Sequence, residues 1–128
     1  MAHIVILGAG LGGMPAAYEM RAALGSDHRV TVVSAVDYFQ FVPSNPWVAV
    51  GWRQRDEVIL QVAPLLARKG IEFVPKPVTK IDAEGSWLEF ADREPLAYDY
   101  LVITTGPKLS FDEVPGAGPH GGHMHSVC

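Results

Sequence analysis

His3-Ile4-Val5-Ile6-Leu7-Gly8-Ala9-Gly10-Leu11-Gly12-Gly13 is the stretch that decides the fold. Its first five residues, His3 leading into Ile4-Val5-Ile6-Leu7, form a short apolar run rich in β-branched side chains, the pattern of a parallel strand buried on both faces. Gly8 ends the run. After Gly13 the apolar positions Ala17, Met20 and Leu24 recur at helical spacing among alanines, and Gly25 stands where a helix stops. Pro15 falls in the first turn, where a missing N–H costs little. Residues 29–34, Arg-Val-Thr-Val-Val-Ser, form a second β-branched strand. Strand, glycine turn, helix and strand together occupy about 32 residues, the size of one βαβ unit.

Beyond this unit the signals weaken. Residues 35–52 hold Pro43, Pro46, Gly51 and several aromatics, and read as a long aromatic loop without a regular element. Pro64 opens a short helix that ends at Gly70, and residues 71–74 form a third strand. Within residues 78–97, Ala83-Glu84-Gly85 and Asp92-Arg93 are turn signals separating two or three short strands, an antiparallel meander. Residues 98–105, Tyr-Asp-Tyr-Leu-Val-Ile-Thr-Thr, read as another buried strand that stops at Gly106-Pro107. The fold class expected is therefore α/β, with a Rossmann-like parallel sheet and a small antiparallel meander. Residues 1–113 form this unit; residues 114–128, rich in Gly, Pro and His, form a flexible tail with no core of its own.

Gly8-Ala9-Gly10-Leu11-Gly12-Gly13 matches G-x-G-x-x-G at a strand-to-helix junction, the context that gives this motif weight. Gly8 permits the tight turn, Gly10 lets a diphosphate approach the backbone, and Gly13 lets helix pack closely on strand. Free N–H groups and the positive end of the helix dipole converge there. A dinucleotide is the expected ligand. The acid that often ends the second strand and binds ribose hydroxyls is replaced by Ser34, a weaker partner than a carboxylate. Asp37, three residues on, is a possible substitute. No basic residue there favours a 2′-phosphate. At the late strand, Thr105 offers a small hydroxyl and Gly106 lets the backbone come close to a cofactor.

Composition limits the alternatives. The chain has 128 residues, 48% hydrophobic and 19% charged, with a net charge of −4 and no concentration of Lys and Arg. This suits one globular unit and gives no footprint for nucleic acid. No apolar run approaches the length needed to cross a bilayer, and no leader pattern opens the chain, which points to the cytoplasm. Cys128 is the single cysteine, so it closes no disulfide within the chain. His120, His123 and His125 lie near it. They could activate its thiolate, or leave it a free thiol on a mobile tail. The surrounding glycines supply no rigid second shell, so no metal site is expected.

The second motif, a hydrophobic strand ending in Thr104-Thr105-Gly106, resembles that of flavoproteins with two dinucleotide-binding domains. The segment from Asp37 to Arg53, with Phe39, Pro43, Asn45-Pro46-Trp47 and Gly51-Trp52, resembles the sulfide:quinone oxidoreductases. So do Gly13-Met14-Pro15-Ala16-Ala17-Tyr18-Glu19-Met20, Thr105-Gly106-Pro107-Lys108 and the segment running up to Cys128. The resemblance covers essentially the whole chain.

It implies FAD as cofactor, sulfide as electron donor and a membrane quinone as acceptor, with the longer enzyme peripheral on the inner membrane. Gly8, Gly10, Leu11, Gly12 and Gly13 would cradle the diphosphate, and Ser34 and Ala35 would meet the adenosine ribose. Pro43 would lie near the flavin and Thr105 with Gly106 would contact the cofactor. The backbone at Val78 would face the adenine, because Pro77 has no N–H to offer. Cys128 matches an accessory cysteine of the family that handles sulfur. The family's further domains and essential cysteines are not in this sequence, so the chain is expected to be an incomplete, N-terminal part, inactive alone. Unfinished sheet edges make a homo-oligomer the expected state. Two other readings stand beside this one: an NADH:quinone reductase-type flavoprotein, and a non-catalytic Rossmann-like module without cofactor.

Overall fold

The computed structural model of the chain describes residues 1–118. Strand β1 (His3–Leu7) leads through the glycine turn into helix α1 (Gly13–Leu24) and then strand β2 (Arg29–Val33). β1 and β2 pair in parallel from His3↔Arg29 to Leu7↔Val33. Strand β5 (Glu72–Val74) adds beside β2, and strand β9 (Tyr100–Ile103) adds beside β1. The parallel sheet therefore has the order β5-β2-β1-β9.

The sheet buries both faces, which is why its central strands are mostly apolar, with Thr31 the buried polar residue of β2. Ile6, Val30 and Val32 pack with Met14 and Ala17 of α1 and with Val62 and Leu66 of helix α3 (Val62–Ala67). Val5, Leu7 and Val33 pack on the other face with Leu88, Phe90 and Leu96. These last belong to an antiparallel meander of β6 (Val78–Asp82), β7 (Trp87–Phe90) and β8 (Leu96–Ala97). The layers run helices, parallel sheet, meander.

Several expectations are corrected. The face of α1 that is buried comprises Gly13, Met14 and Ala17, while Met20 is 37% exposed, because the helix meets the sheet through its first turns. The segment read as an irregular loop holds strand β3 (Tyr38–Gln40), a 3-10 turn at Val42–Ser44 and helix α2 (Asn45–Ala49). β3 is stabilised by antiparallel pairing with β4 (Ile59–Gln61), and Pro43 and Pro46 sit in first turns, where proline is tolerated. Helix α3 begins at Val62, two residues before Pro64. The late strand is not buried: among the described residues β9 pairs with β1 on one side only, leaving Tyr100 66% and Ile103 58% exposed.

At the far end of the sheet from the glycine turn a polar ladder ties three strands. Arg29 donates to both carboxylate oxygens of Glu72 at 2.7 and 2.6 Å, and Thr31 Oγ1 donates to Glu72 at 3.2 Å. His3 Nε2 lies 2.8 Å from Thr31 Oγ1. Thr31 is fully buried on β2 and meets partners on the strands to either side, His3 of β1 and Glu72 of β5.

Candidate functional site

A cleft of about 1010 Å³ opens where the parallel strands end. This is the place where open α/β sheets hold their ligands. One wall is the glycine turn, with Gly8, Gly10, Leu11 and Gly12. A second is the end of β2, with Ser34 and Ala35; a third is the start of β6, with Val78; the end of β9 adds Thr105 and Gly106. Residues from four separate stretches of sequence thus meet around one space. Gly13 lies buried behind the turn, and Asp37 and Pro43 do not line the cleft, although Tyr38, Gln40 and Val42 beside them do. Cys128, His120, His123 and His125 lie outside the described residues.

The turn is built for close approach. Gly8 has φ of 115°, a conformation that side chains resist. A Cβ on Gly8 would meet the Thr104 carbonyl oxygen at 2.3 Å, and one on Gly13 would meet the Gly8 oxygen at 1.8 Å. At Gly10 nothing lies within 4 Å of that position, so the space it leaves belongs to the cleft. Among the described residues, no hydrogen bond uses the N–H of Gly10, Leu11 or Gly12. Unpaired amides at the opening of a twelve-residue helix form an anion site.

Ser34 is buried, and its Oγ accepts a hydrogen bond from the Val36 N–H at 3.3 Å, which leaves the hydroxyl proton for another acceptor. The cation on the cleft wall, Lys80, is held by Glu89 at 3.1 Å and Asp82 at 3.6 Å. The Glu89 carboxylate raises the Lys80 pKa above its ordinary value, keeping it charged. Among the described residues no group of three His, Cys, Asp or Glu could hold a metal ion.

Thr104 was missed by reasoning from the sequence. Its Oγ1 donates to the Leu7 oxygen at 3.0 Å and lies 3.3 Å from the Gly8 oxygen. The signal, a threonine one position before Thr105-Gly106, carries meaning only once β9 is known to lie beside β1.

Sheet order, glycine cradle and cleft define a dinucleotide-binding α/β unit. The chain belongs to the pyridine nucleotide-disulphide oxidoreductase family, which matches residues 2–128. It is 36% identical over 126 residues to the sulfide-quinone reductase of Aquifex aeolicus, covering 98% of this chain and 28% of that protein. It is 29% identical to the mitochondrial external alternative NAD(P)H-ubiquinone oxidoreductase B4 of Arabidopsis thaliana, over 91% of this chain and 21% of that protein. The crystal structure of the Aquifex aeolicus sulfide:quinone oxidoreductase superposes with a TM-score of 0.82 at 38% identity, over 94% of this chain and 27% of that one. NDH2 from Plasmodium falciparum shares the fold, with a TM-score of 0.76 at 24% identity over 90% of this chain and 24% of that one. The chain thus spans about a quarter of the length of the relatives it matches. Among the described residues, no helix is long and apolar enough to cross a membrane.

Proposed function

We propose that the cleft binds FAD, with the diphosphate on the amides of Gly10, Leu11 and Gly12, and that the chain is the FAD-binding segment of a sulfide:quinone oxidoreductase. The observation that carries this reading is the glycine cradle: backbone packed too tightly for side chains at Gly8 and Gly13, open space at Gly10, and three uncommitted amides between. A diphosphate supplies the acceptors that those amides lack. Ser34 and Ala35 meet the adenosine ribose, the Ser34 hydroxyl donating to it. The Val78 backbone faces the adenine, Thr105 and Gly106 approach the cofactor, and Pro43 sits near its ring. Gly13 serves from behind, keeping helix and turn in contact.

Bound flavin supplies a two-electron acceptor. The chain's own residues bind and orient it, with Leu7, Val33 and Ile81 adding apolar surface to the cleft wall. Sulfide as donor and quinone as acceptor follow from the likeness to the sulfide-quinone reductase, and Cys128 is the proposed sulfur-handling residue of the longer enzyme. The chain alone is inactive in this reading. It self-associates through its open strand edge, and the longer enzyme lies peripherally on the inner membrane.

Fluorescence titration of the purified chain with FAD tests the cleft: saturable quenching is expected, and its absence overturns the reading. A second reading, an NADH:quinone reductase, is favoured by the likeness to the NAD(P)H-ubiquinone oxidoreductase. In an enzyme of the relatives' length carrying this chain, bleaching of the flavin by sulfide and not by NADH decides for the first; the reverse decides for the second.

A further inference from the structure

We propose that Thr104 is a positioning residue for the cofactor. Its hydroxyl, bridging from the end of β9 to the Leu7 and Gly8 carbonyls, holds the glycine turn in the shape that presents its amides. The inference rests on the reading of the cleft as an FAD site and adds a residue to it.

The turn is anchored on both sides of Gly8. On one side the Gly8 N–H donates to the Val33 oxygen of β2 at 2.8 Å. On the other, Thr104 makes two kinds of contact. Its backbone N–H donates to the Leu7 oxygen at 2.8 Å, a bond that any residue except proline would supply. Its side chain adds what most residues cannot. Oγ1 reaches the same Leu7 oxygen and the Gly8 oxygen, and it stands 2.8 Å from where a Cβ would lie on either Gly8 or Gly13. The methyl and Cβ of Thr104 lie 3.6 and 3.5 Å from the corresponding point on Gly12, an ordinary van der Waals contact. One small side chain therefore fills the space that three glycines leave.

This matters because, among the described residues, the amides of Gly10, Leu11 and Gly12 have no acceptor to hold them. Donors free to turn lose entropy when a ligand fixes them, and a turn held beforehand avoids that loss. The hydroxyl and the methyl divide the task, one gripping the carbonyl side of the turn and the other supporting it under Gly12.

FAD titrations of the wild-type chain, T104S, T104V and T104A, each at a temperature where circular dichroism shows it folded, test the proposal. T104V and T104A are expected to bind FAD about fivefold more weakly, the loss that one neutral hydrogen bond sustains. T104S, which keeps the hydroxyl, is expected to recover most of the affinity. A role in stability alone would lower the melting temperature and leave the affinity of the folded protein unchanged. Should T104V fail to fold, the T104A and T104S pair gives the same comparison. Wild-type affinity in T104A, or a T104S variant as weak as T104A, overturns the role of the hydroxyl while the cofactor reading stands. A wild-type chain that takes no FAD overturns both.

Discussion

The carbonyl oxygen of Gly8 stands 1.8 Å from the point where a Cβ on Gly13 would lie, so the first turn of α1 rests directly on the backbone that leaves β1. The obstacle is main chain, and it cannot rotate aside. Gly13→Ala is expected to push helix from strand and to cost about 1–3 kcal/mol, as overpacking does. Gly10→Ala is expected to do the opposite. Nothing lies within 4 Å of its Cβ, so urea unfolding should change little while FAD affinity falls by about tenfold or more, the methyl occupying diphosphate space. Equal loss of stability in both variants would contradict this division of roles.

Acid should loosen the chain in two stages at the polar end of the sheet. Burial first, and the Arg29 charge second, hold the His3 pKa below its ordinary 6.5. Between those two values the unfolded chain binds a proton that the folded chain refuses, so stability is full above 6.5 and falls as pH drops below it. Glu72 follows at lower pH. The hydrogen bonds from Arg29 hold its pKa below the ordinary 4.5, and the stability this supplies is lost as pH falls from 4.5 through the folded value. The pair is half exposed, which limits its worth to about 1 kcal/mol or less. Urea midpoints measured from pH 8 to pH 3 are expected to show both losses, with Glu72→Gln removing the second and His3→Gln the first.

The parts of this fold that could be read from the chain are those where local pattern and tertiary role coincide. β1, α1 and β2 each carry their own periodicity, and the fingerprint sits at the joint between them. β3 was illegible because its reason to exist is β4, a partner whose pairing runs from Tyr38↔Gln61 to Gln40↔Ile59. Prolines at 43 and 46 look like breakers until they are seen to open helical turns. The exposure of β9 could not be read either. Leu101 and Val102 are apolar enough for a central strand, and only the sheet order puts them at an edge. Thr104 shows the same limit at the site, since its bonds to Leu7 and Gly8 span 97 and 96 residues.

Leu88 couples the meander to the parallel sheet. It is fully buried against Val5, Leu7 and Val33, and the strand it belongs to pairs with β6, whose first residues wall the cleft. Leu88→Ala is expected to cost about 2–5 kcal/mol, the range for emptying such a site. Because β6 loses its backing, FAD affinity should also fall under conditions where the variant remains folded. Leu66→Ala empties the opposite core and should be comparably destabilising. It leaves the meander wall in place, so its folded form should keep near wild-type affinity. Titration of both variants at low temperature separates the two effects.

The open side of β9 makes the remaining expectation. Among the described residues its backbone pairs with β1 alone, and Tyr100 and Ile103 present apolar surface beside that edge. Unpaired strand edges seek partners, and a charge placed on them suppresses the association. Sedimentation velocity over a hundredfold concentration range should show the chain shifting from monomer to larger species. Ile103→Lys, at an exposed position, should hold it monomeric with little change in melting temperature. A wild-type chain that stays monomeric throughout would mean that the edge is protected without a partner, and the self-association would be abandoned. A shift that Ile103→Lys leaves intact would move the contact elsewhere, to the other edge strand β5 or to the exposed aromatic side chains of Trp47 and Trp52.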